Sequence, residues 1–188
     1  MPRPVTVAIT GGIAAGKSEA LAAFRRHGAA TISSDDVVHH LLAEDEQVRE
    51  AIRARWGEEA VGNRERIGSI VFADRAELAW LEQLLHPRTR AAVDAWFAEV
   101  DAPVAAAEIP LLYETGGETR FDKVVVITAP RETRTTRRDA LDLRETRLIP
   151  DEEKVQRADF SYVNDGSLAA LDAFVAGVVE KLLSSSAG

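Results

Sequence analysis

The feature that most constrains this chain is the stretch TVAITGGIAAGKSEALAAF, Thr6 to Phe24. A run of β-branched and small apolar residues enters a loop, and the loop enters a helix-forming segment. The loop itself, Gly11-Gly12-Ile13-Ala14-Ala15-Gly16-Lys17-Ser18, has the spacing G-x-x-x-x-G-K-[ST]. Glycines let the backbone wrap tightly, so that successive N–H groups face one point. The following helix adds the positive end of its dipole. Such a concavity suits a phosphate. A lysine at its end reaches terminal phosphates, and the neighbouring hydroxyl can hold Mg²⁺ carried by a nucleotide. Residues Gly11 to Glu19 are therefore expected to bind nucleotide, with Lys17 also catalytic and Ser18 the metal ligand. The motif alone implies a bound nucleoside triphosphate. GTPases, ATPases and small-molecule kinases all use it.

Strand and helix patterns alternate along the rest of the chain. PVTVAIT, AATIS, APVAAAE, FDKVVVIT and FSYV read as short buried strands. Helical segments separate them, starting with one from about Lys17 to Arg26 that Gly28 closes. The last, SLAALDAFVAGVVEKLL, is amphipathic with Ser167 as its cap. Pro87 is placed to begin a helix, PRTRAAVDAWFAEV, separate from the preceding RAELAWLEQLL. The alternation predicts an α/β fold in three layers: a parallel five-stranded sheet with helices on both faces. A single domain is expected, with a core over about 1–44 and 101–183, a helical insert over about 45–100 and a lid over about 131–150.

Composition narrows the partners. The net charge of -8 argues against general affinity for nucleic acid or an anionic membrane. The absence of cysteine excludes disulfides and thiol chemistry and is compatible with a reducing, cytoplasmic setting. No apolar run is long enough to span a bilayer, and Val5–Ile9 is too short for a secretory leader. One segment opposes the acidic balance. Arg131, Arg134, Arg137, Arg138, Arg144 and Arg147 crowd a short stretch. Alone they would read as a solvated helix face. Beside a phosphate loop they read as a lid that meets nucleotide charge.

Asp35 and Asp36 fall just past the end of the second strand, the edge at which parallel sheets collect ligands. A hydroxyl acceptor needs an orienting or proton-accepting carboxylate near the transferred phosphoryl group, and Asp35 suits that role. Asp36 suits a helix-capping role. His39 and His40 are adjacent on a helix and point different ways, which favours a surface role over metal binding. Trp56, Trp80 and Trp96 read as core residues of the insert.

Further motifs give the chain a family resemblance. TGGIAAGKS, ISSDDVVHHLL, NRERIGSIVF, LEQLLHPRTR, EIPLLYETG, KVVVITAPRETRTTR and ADFSYVNDGSLAAL occur in that order. Together they resemble the motifs of the dephospho-CoA kinase family over nearly the whole chain. The resemblance implies ATP- and Mg²⁺-dependent phosphorylation of the ribose 3′-hydroxyl of dephospho-CoA, the last step of CoA synthesis. It implies Asp35 as catalytic base, Arg137 and Arg144 as lid residues on the transferred phosphoryl group, and Asn164 near the adenine of ATP. It also implies Arg64, His86, Leu111, Tyr113 and Glu114 on the acceptor side. The chain departs from the family pattern at Ser33 and Glu108, where aspartates are usual, and at Arg134 and Leu148, where glutamines are common. The stretch Arg137–Arg144 is shorter than the usual lid. Two alternatives stand beside this reading: a related kinase acting on a nucleoside or nucleoside monophosphate, and a nucleotide-binding regulatory protein with little turnover. A GTPase would carry an N-K-x-D motif, which is absent.

Overall fold

In the computed structural model, residues 3–137 and 148–185 are described. Among these, five parallel strands form one sheet in the order β2-β3-β1-β4-β5. They are β1 (Val5–Gly11), β2 (Ala30–Ser33), β3 (Val104–Glu108), β4 (Lys123–Thr128) and β5 (Phe160–Val163). Alternate side chains leave opposite faces of a strand. Val7 and Ile9 of β1 accordingly join Phe24, Leu171 and Val175 in one core, while Ala8 joins Leu112, Tyr113, Val124 and Val126 in another. Burial on both faces is why β1, β3 and β4 are near-continuously apolar. The edge strands β2 and β5, read in the sequence as buried, are only half-buried or alternate with exposed residues, because each has a neighbour on one side.

The first core is closed by α1 (Lys17–Arg26) and α8 (Leu168–Ser185). Phe24 is fully buried there, so Phe24→Ala should cost about 3–5 kcal/mol. Helix α1 stops as the sequence predicts. Gly28 takes φ 87, its amide donates to the Arg25 carbonyl at 3.1 Å, and the Ala29 amide donates to the Phe24 carbonyl at 3.0 Å. This is the paired-bond cap that a left-handed glycine permits. Ser167 likewise caps α8, its Oγ accepting from the Ala170 amide at 3.2 Å. Among the described residues this part also holds the α-helices α6 (Arg131–Arg137) and α7 (Asp151–Arg157).

The chain divides into two compact units, Met1–Ser33 with Phe97–Gly188, and Ser34–Trp96. The second unit is helical. It holds α2 (Ser34–Glu44), α3 (Glu46–Trp56), α4 (Arg64–Ala73) and most of α5 (Arg75–Glu99). Leu41, Val48, Ile52, Ile67, Leu81 and Leu85 share its core. Asp45 caps α3 through the Val48 amide at 2.9 Å, and Asn63 caps α4 through the Arg66 amide at 3.0 Å. At its margin Trp56 meets Trp80 edge-on, with ring centroids 4.9 Å apart. Glu77 accepts from Arg55 Nε and Trp56 Nε1, both at 2.6 Å. The Arg55 bond first, and then that of Trp56, holds the Glu77 carboxyl below its ordinary pKa.

One expectation fails here. Pro87 does not begin a helix; it lies inside α5, which runs unbroken from Arg75 to Glu99. An interior proline removes a donor and disturbs the carbonyls of the preceding turn. Next to it the Arg88 guanidinium donates from Nη1 to the Leu84 carbonyl at 2.9 Å.

Candidate active site

The loop after β1 is shaped by backbone conformation. Gly11 has φ 140, Ala14 φ 58 and Gly16 φ 101, all in the region that side chains disfavour. At Gly11 the demand is also steric. A Cβ there would lie 1.8 Å from the carbonyl oxygen of Ile127 on β4, well inside van der Waals contact. Gly16 caps α1 with no side-chain bond to the first turn, which leaves the helix amides and dipole directed at the loop. Lys17 folds back over it, with Nζ donating to the carbonyls of Gly12 at 2.8 Å and Gly11 at 3.4 Å.

Two distant segments are tied to this loop. β3 lies beside β1, with Glu108 paired to Ile9. That register brings the buried Glu108 carboxylate to Ser18, whose Oγ donates to Oε1 at 3.2 Å. On the other side Asn164, buried just after β5, donates from Nδ2 to the Ala15 carbonyl at 2.8 Å. Its own amide donates to Thr128 at 2.7 Å, and its Oδ1 accepts from Gly166 at 3.1 Å. Asn164 therefore clips the loop to the ends of β4 and β5.

Gly12 has two more neighbours. A Cβ at this residue would meet Asp151 Oδ2 at 3.0 Å and Arg134 Nη1 at 3.2 Å. Arg134 is only half-exposed, so it departs from the solvated helix face on which the sequence pattern puts it. A helix period cannot reveal this, because the cause is the edge of the sheet from which α6 starts.

The turn after β3 carries Leu111, Tyr113 and Glu114. Leu111 is half-buried. Tyr113 is buried against the sheet, and the Arg157 guanidinium lies 4.3 Å from its ring centroid. Burial raises the pKa of the phenol. Glu114 Oε1 lies 2.7 Å from Nζ of Lys154, which is wholly buried, and accepts from the Ile149 amide at 3.1 Å. Arg157 also pairs with Glu118, and with Glu153 at 3.4 Å. Sequence reasoning missed Lys154 and Arg157, since DEEKVQR looks like an ordinary charged surface helix. The one available signal was a lysine flanked by acids close after an arginine-rich stretch.

The remaining candidates occupy separate places. Glu19 faces Arg26 along α1, Oε1 to Nη2 at 3.0 Å. In the second unit Asp35 and Asp36 are exposed in the first turn of α2, directly after β2. Arg64 is the exposed first residue of α4, and His86 is half-buried within α5. Arg137 ends α6, and Arg144 lies outside the described residues. Among the described residues no cluster of three or more His, Cys, Asp and Glu could hold a metal by itself, and no helix is long and apolar enough to cross a membrane.

A parallel sheet of this order, with a G-x-x-x-x-G-K-S loop between its central strand and α1, defines a P-loop nucleotide-binding protein. Comparison with known proteins narrows the class. The model of the dephospho-CoA kinase family matches residues 5–170. The dephospho-CoA kinase of Brucella melitensis is 34% identical over 190 residues, 95% of each chain. A crystal structure of the Thermus thermophilus protein TT1252 superposes with a TM-score of 0.78 at 29% identity, covering 96% of this chain and 98% of that one. The Campylobacter jejuni dephospho-CoA kinase does so with a TM-score of 0.67 at 27% identity, over 96% and 98% of the two chains. The chain belongs to the dephospho-CoA kinase family, a family of phosphotransferases.

Proposed function

We propose that this protein phosphorylates the ribose 3′-hydroxyl of dephospho-CoA at the expense of ATP, giving CoA and ADP in the cytoplasm. The family match across nearly the full chain carries this reading. The loop geometry supports it, since Lys17, Ser18 and the amides of α1 converge where β- and γ-phosphates would bind.

In the transfer, the acceptor oxygen bonds to the γ-phosphorus while the bond from that phosphorus to the β,γ-bridging oxygen breaks, and ADP leaves. Asp35 orients the 3′-hydroxyl and takes its proton. Lys17 leaves the loop carbonyls for the β,γ-phosphates. Arg137 and Arg144 meet charge that develops on the transferred group. Asn164 holds the loop in shape from the adenine side. Arg64, His86, Leu111, Tyr113 and Glu114 serve the acceptor side.

The residues present fit Mg²⁺. A hydroxyl and a carboxylate, Ser18 and Glu108, stand 3.2 Å apart beside the loop, and both are the hard oxygen donors that this ion prefers. Bound with the nucleotide, the ion would neutralise charge on the β,γ-phosphates.

The test is ADP release in a coupled assay with Mg²⁺, with and without dephospho-CoA. Release that depends on dephospho-CoA, yielding a 3′-phosphorylated product, is the expected result. Faster turnover with adenosine, AMP or a deoxynucleotide would transfer the assignment to a nucleoside or nucleotide kinase. ATP binding without turnover on any acceptor would make the protein a regulatory nucleotide binder. Lys17→Ala should nearly abolish transfer while leaving the fold intact by circular dichroism.

A further inference from the structure

We infer that Arg134 is a phosphate-contacting residue of the nucleotide site, and that Asp151 holds its place on the loop until nucleotide phosphate takes over from the carboxylate. The inference rests on the reading that the loop binds ATP. Three charged groups converge on Gly12. The Lys17 ammonium is bonded to its carbonyl at 2.8 Å. Arg134 Nη1 and both Asp151 oxygens lie 3.0 to 3.2 Å from the point where its Cβ would stand. A methyl at Gly12 would press on both groups, which would have to give by a few tenths of an ångström, so glycine leaves them room beside the loop.

The two residues reach the loop from different elements. β4 pairs with the end of β1, Gly11 opposite Ile127. Helix α6 begins three residues after β4 ends, and the Arg134 amide closes its first turn on the Pro130 carbonyl at 3.1 Å. Arg134 is thereby carried on an element that leaves the sheet beside the loop. Asp151 is the first residue of α7, whose Lys154 is anchored in the buried pair with Glu114.

The chemistry gives the pair a purpose. A carboxylate offers a guanidinium the same two-oxygen edge as a phosphate. Asp151 therefore keeps Arg134 oriented over an empty loop. Its negative charge opposes a bound triphosphate, whereas the positive charge of Arg134 favours one. Arginine stands here where the resemblance leads one to expect glutamine, which has no charge to offer.

Equilibrium binding of ATP and ADP, without acceptor, tests this on wild type, Arg134→Ala, Arg134→Gln, Asp151→Asn and the double variant Arg134→Ala/Asp151→Asn. Loss of Arg134 should weaken ATP binding about tenfold to a hundredfold, the range of a charge-assisted hydrogen bond. Glutamine should rescue little of it. Asp151→Asn should tighten ATP binding about fivefold, the size of one contact repulsion in water, and the gain should vanish in the double variant. Wild-type affinity in Arg134→Gln, or weaker binding in Asp151→Asn, overturns the inference. The readout needs no acceptor. Wild type that binds ATP but leaves dephospho-CoA untouched would fail the proposed function and leave this inference standing. Transfer to dephospho-CoA with unchanged binding in both Arg134 variants would do the reverse. Should Arg134→Ala not fold, Asp151→Asn still decides the matter by its direction.

Discussion

The phosphate loop and the helical unit of residues 34–96 place functional groups in opposite ways. In the loop the backbone is the instrument. Gly11, Ala14 and Gly16 take positive φ, and β4, β3 and the segment after β5 each hold one side of it. In the helical unit the candidate groups Asp35 and Arg64 are exposed side chains in the first turns of regular helices. The loop's shape is over-determined by contacts from distant segments. A helical side chain needs only its helix. Substitutions should therefore damage shape in the first region and chemistry in the second.

The sharpest test of that contrast compares two glycines with positive φ. Gly11→Ala would drive a methyl into the Ile127 carbonyl, and we expect no soluble, cooperatively folded protein. Gly62→Ala, at φ 69 with no atom within 4 Å, should cost only the left-handed conformation, about 1–2 kcal/mol. Denaturant melts monitored by circular dichroism distinguish them. Equal stability of the two variants would remove the idea that the loop is fixed from outside.

Chemistry without loss of shape is next. Asp35→Asn should lower turnover by about 10²–10⁴-fold, the usual worth of a positioned acid or base. Asp36→Asn, in the same helical turn, should leave the rate nearly unchanged. Steady-state kinetics on both, with melting curves matching wild type, would support a division of roles between them. Equal and mild effects would leave Asp35 without a catalytic part.

The buried pair beneath α7 comes third. Removing one partner of a buried ion pair strands the other, at a cost of about 3–5 kcal/mol. Lys154→Ala should therefore lower the melting temperature strongly, and Lys154→Met combined with Glu114→Gln should recover most of the loss. The surface pair Arg53–Glu58 of the helical unit should be nearly silent under the same treatment. A silent Lys154→Ala would mean that the pair contributes nothing to holding α7.

The smallest effect is in pH. Burial works against the ionised Asp122 carboxylate, but the Thr6 amide, the Arg3 guanidinium and the Thr6 hydroxyl outweigh it and hold its pKa below the ordinary value. The folded state then binds fewer protons than the unfolded chain in acid. The contribution is complete above the usual aspartate pKa of about 3.9 and is lost as pH falls through the lower, folded value. Asp122→Asn should flatten the acid side of the stability curve. An unaltered acid limb would show that other carboxylates set it.

How much could be read in advance divides along the same line. The order of strands and helices, the glycine that ends α1 and the serine that caps α8 follow from neighbours in the chain. The continuity of α5 did not, because Pro87 is a local stop signal and the helix runs through it. The burial of Lys154 was hidden by its acidic neighbours, and the position of Arg134 by its place in a row of arginines.

The sequence alone determined the phosphate loop and the kind of sheet that carries it. Eight consecutive residues contain the glycines, the lysine and the hydroxyl, so the motif is complete within one local stretch. It determined the family too, through motifs that recur in order. Only the tertiary structure decided which groups surround the loop. Glu108 meets Ser18 through the register of β3 on β1, Asn164 meets Ala15 from the end of β5, and Arg134 and Asp151 meet at Gly12 from two helices. Those meetings join residues scores of positions apart, and their cause is the pairing of strands and the burial of side chains, which no local pattern contains.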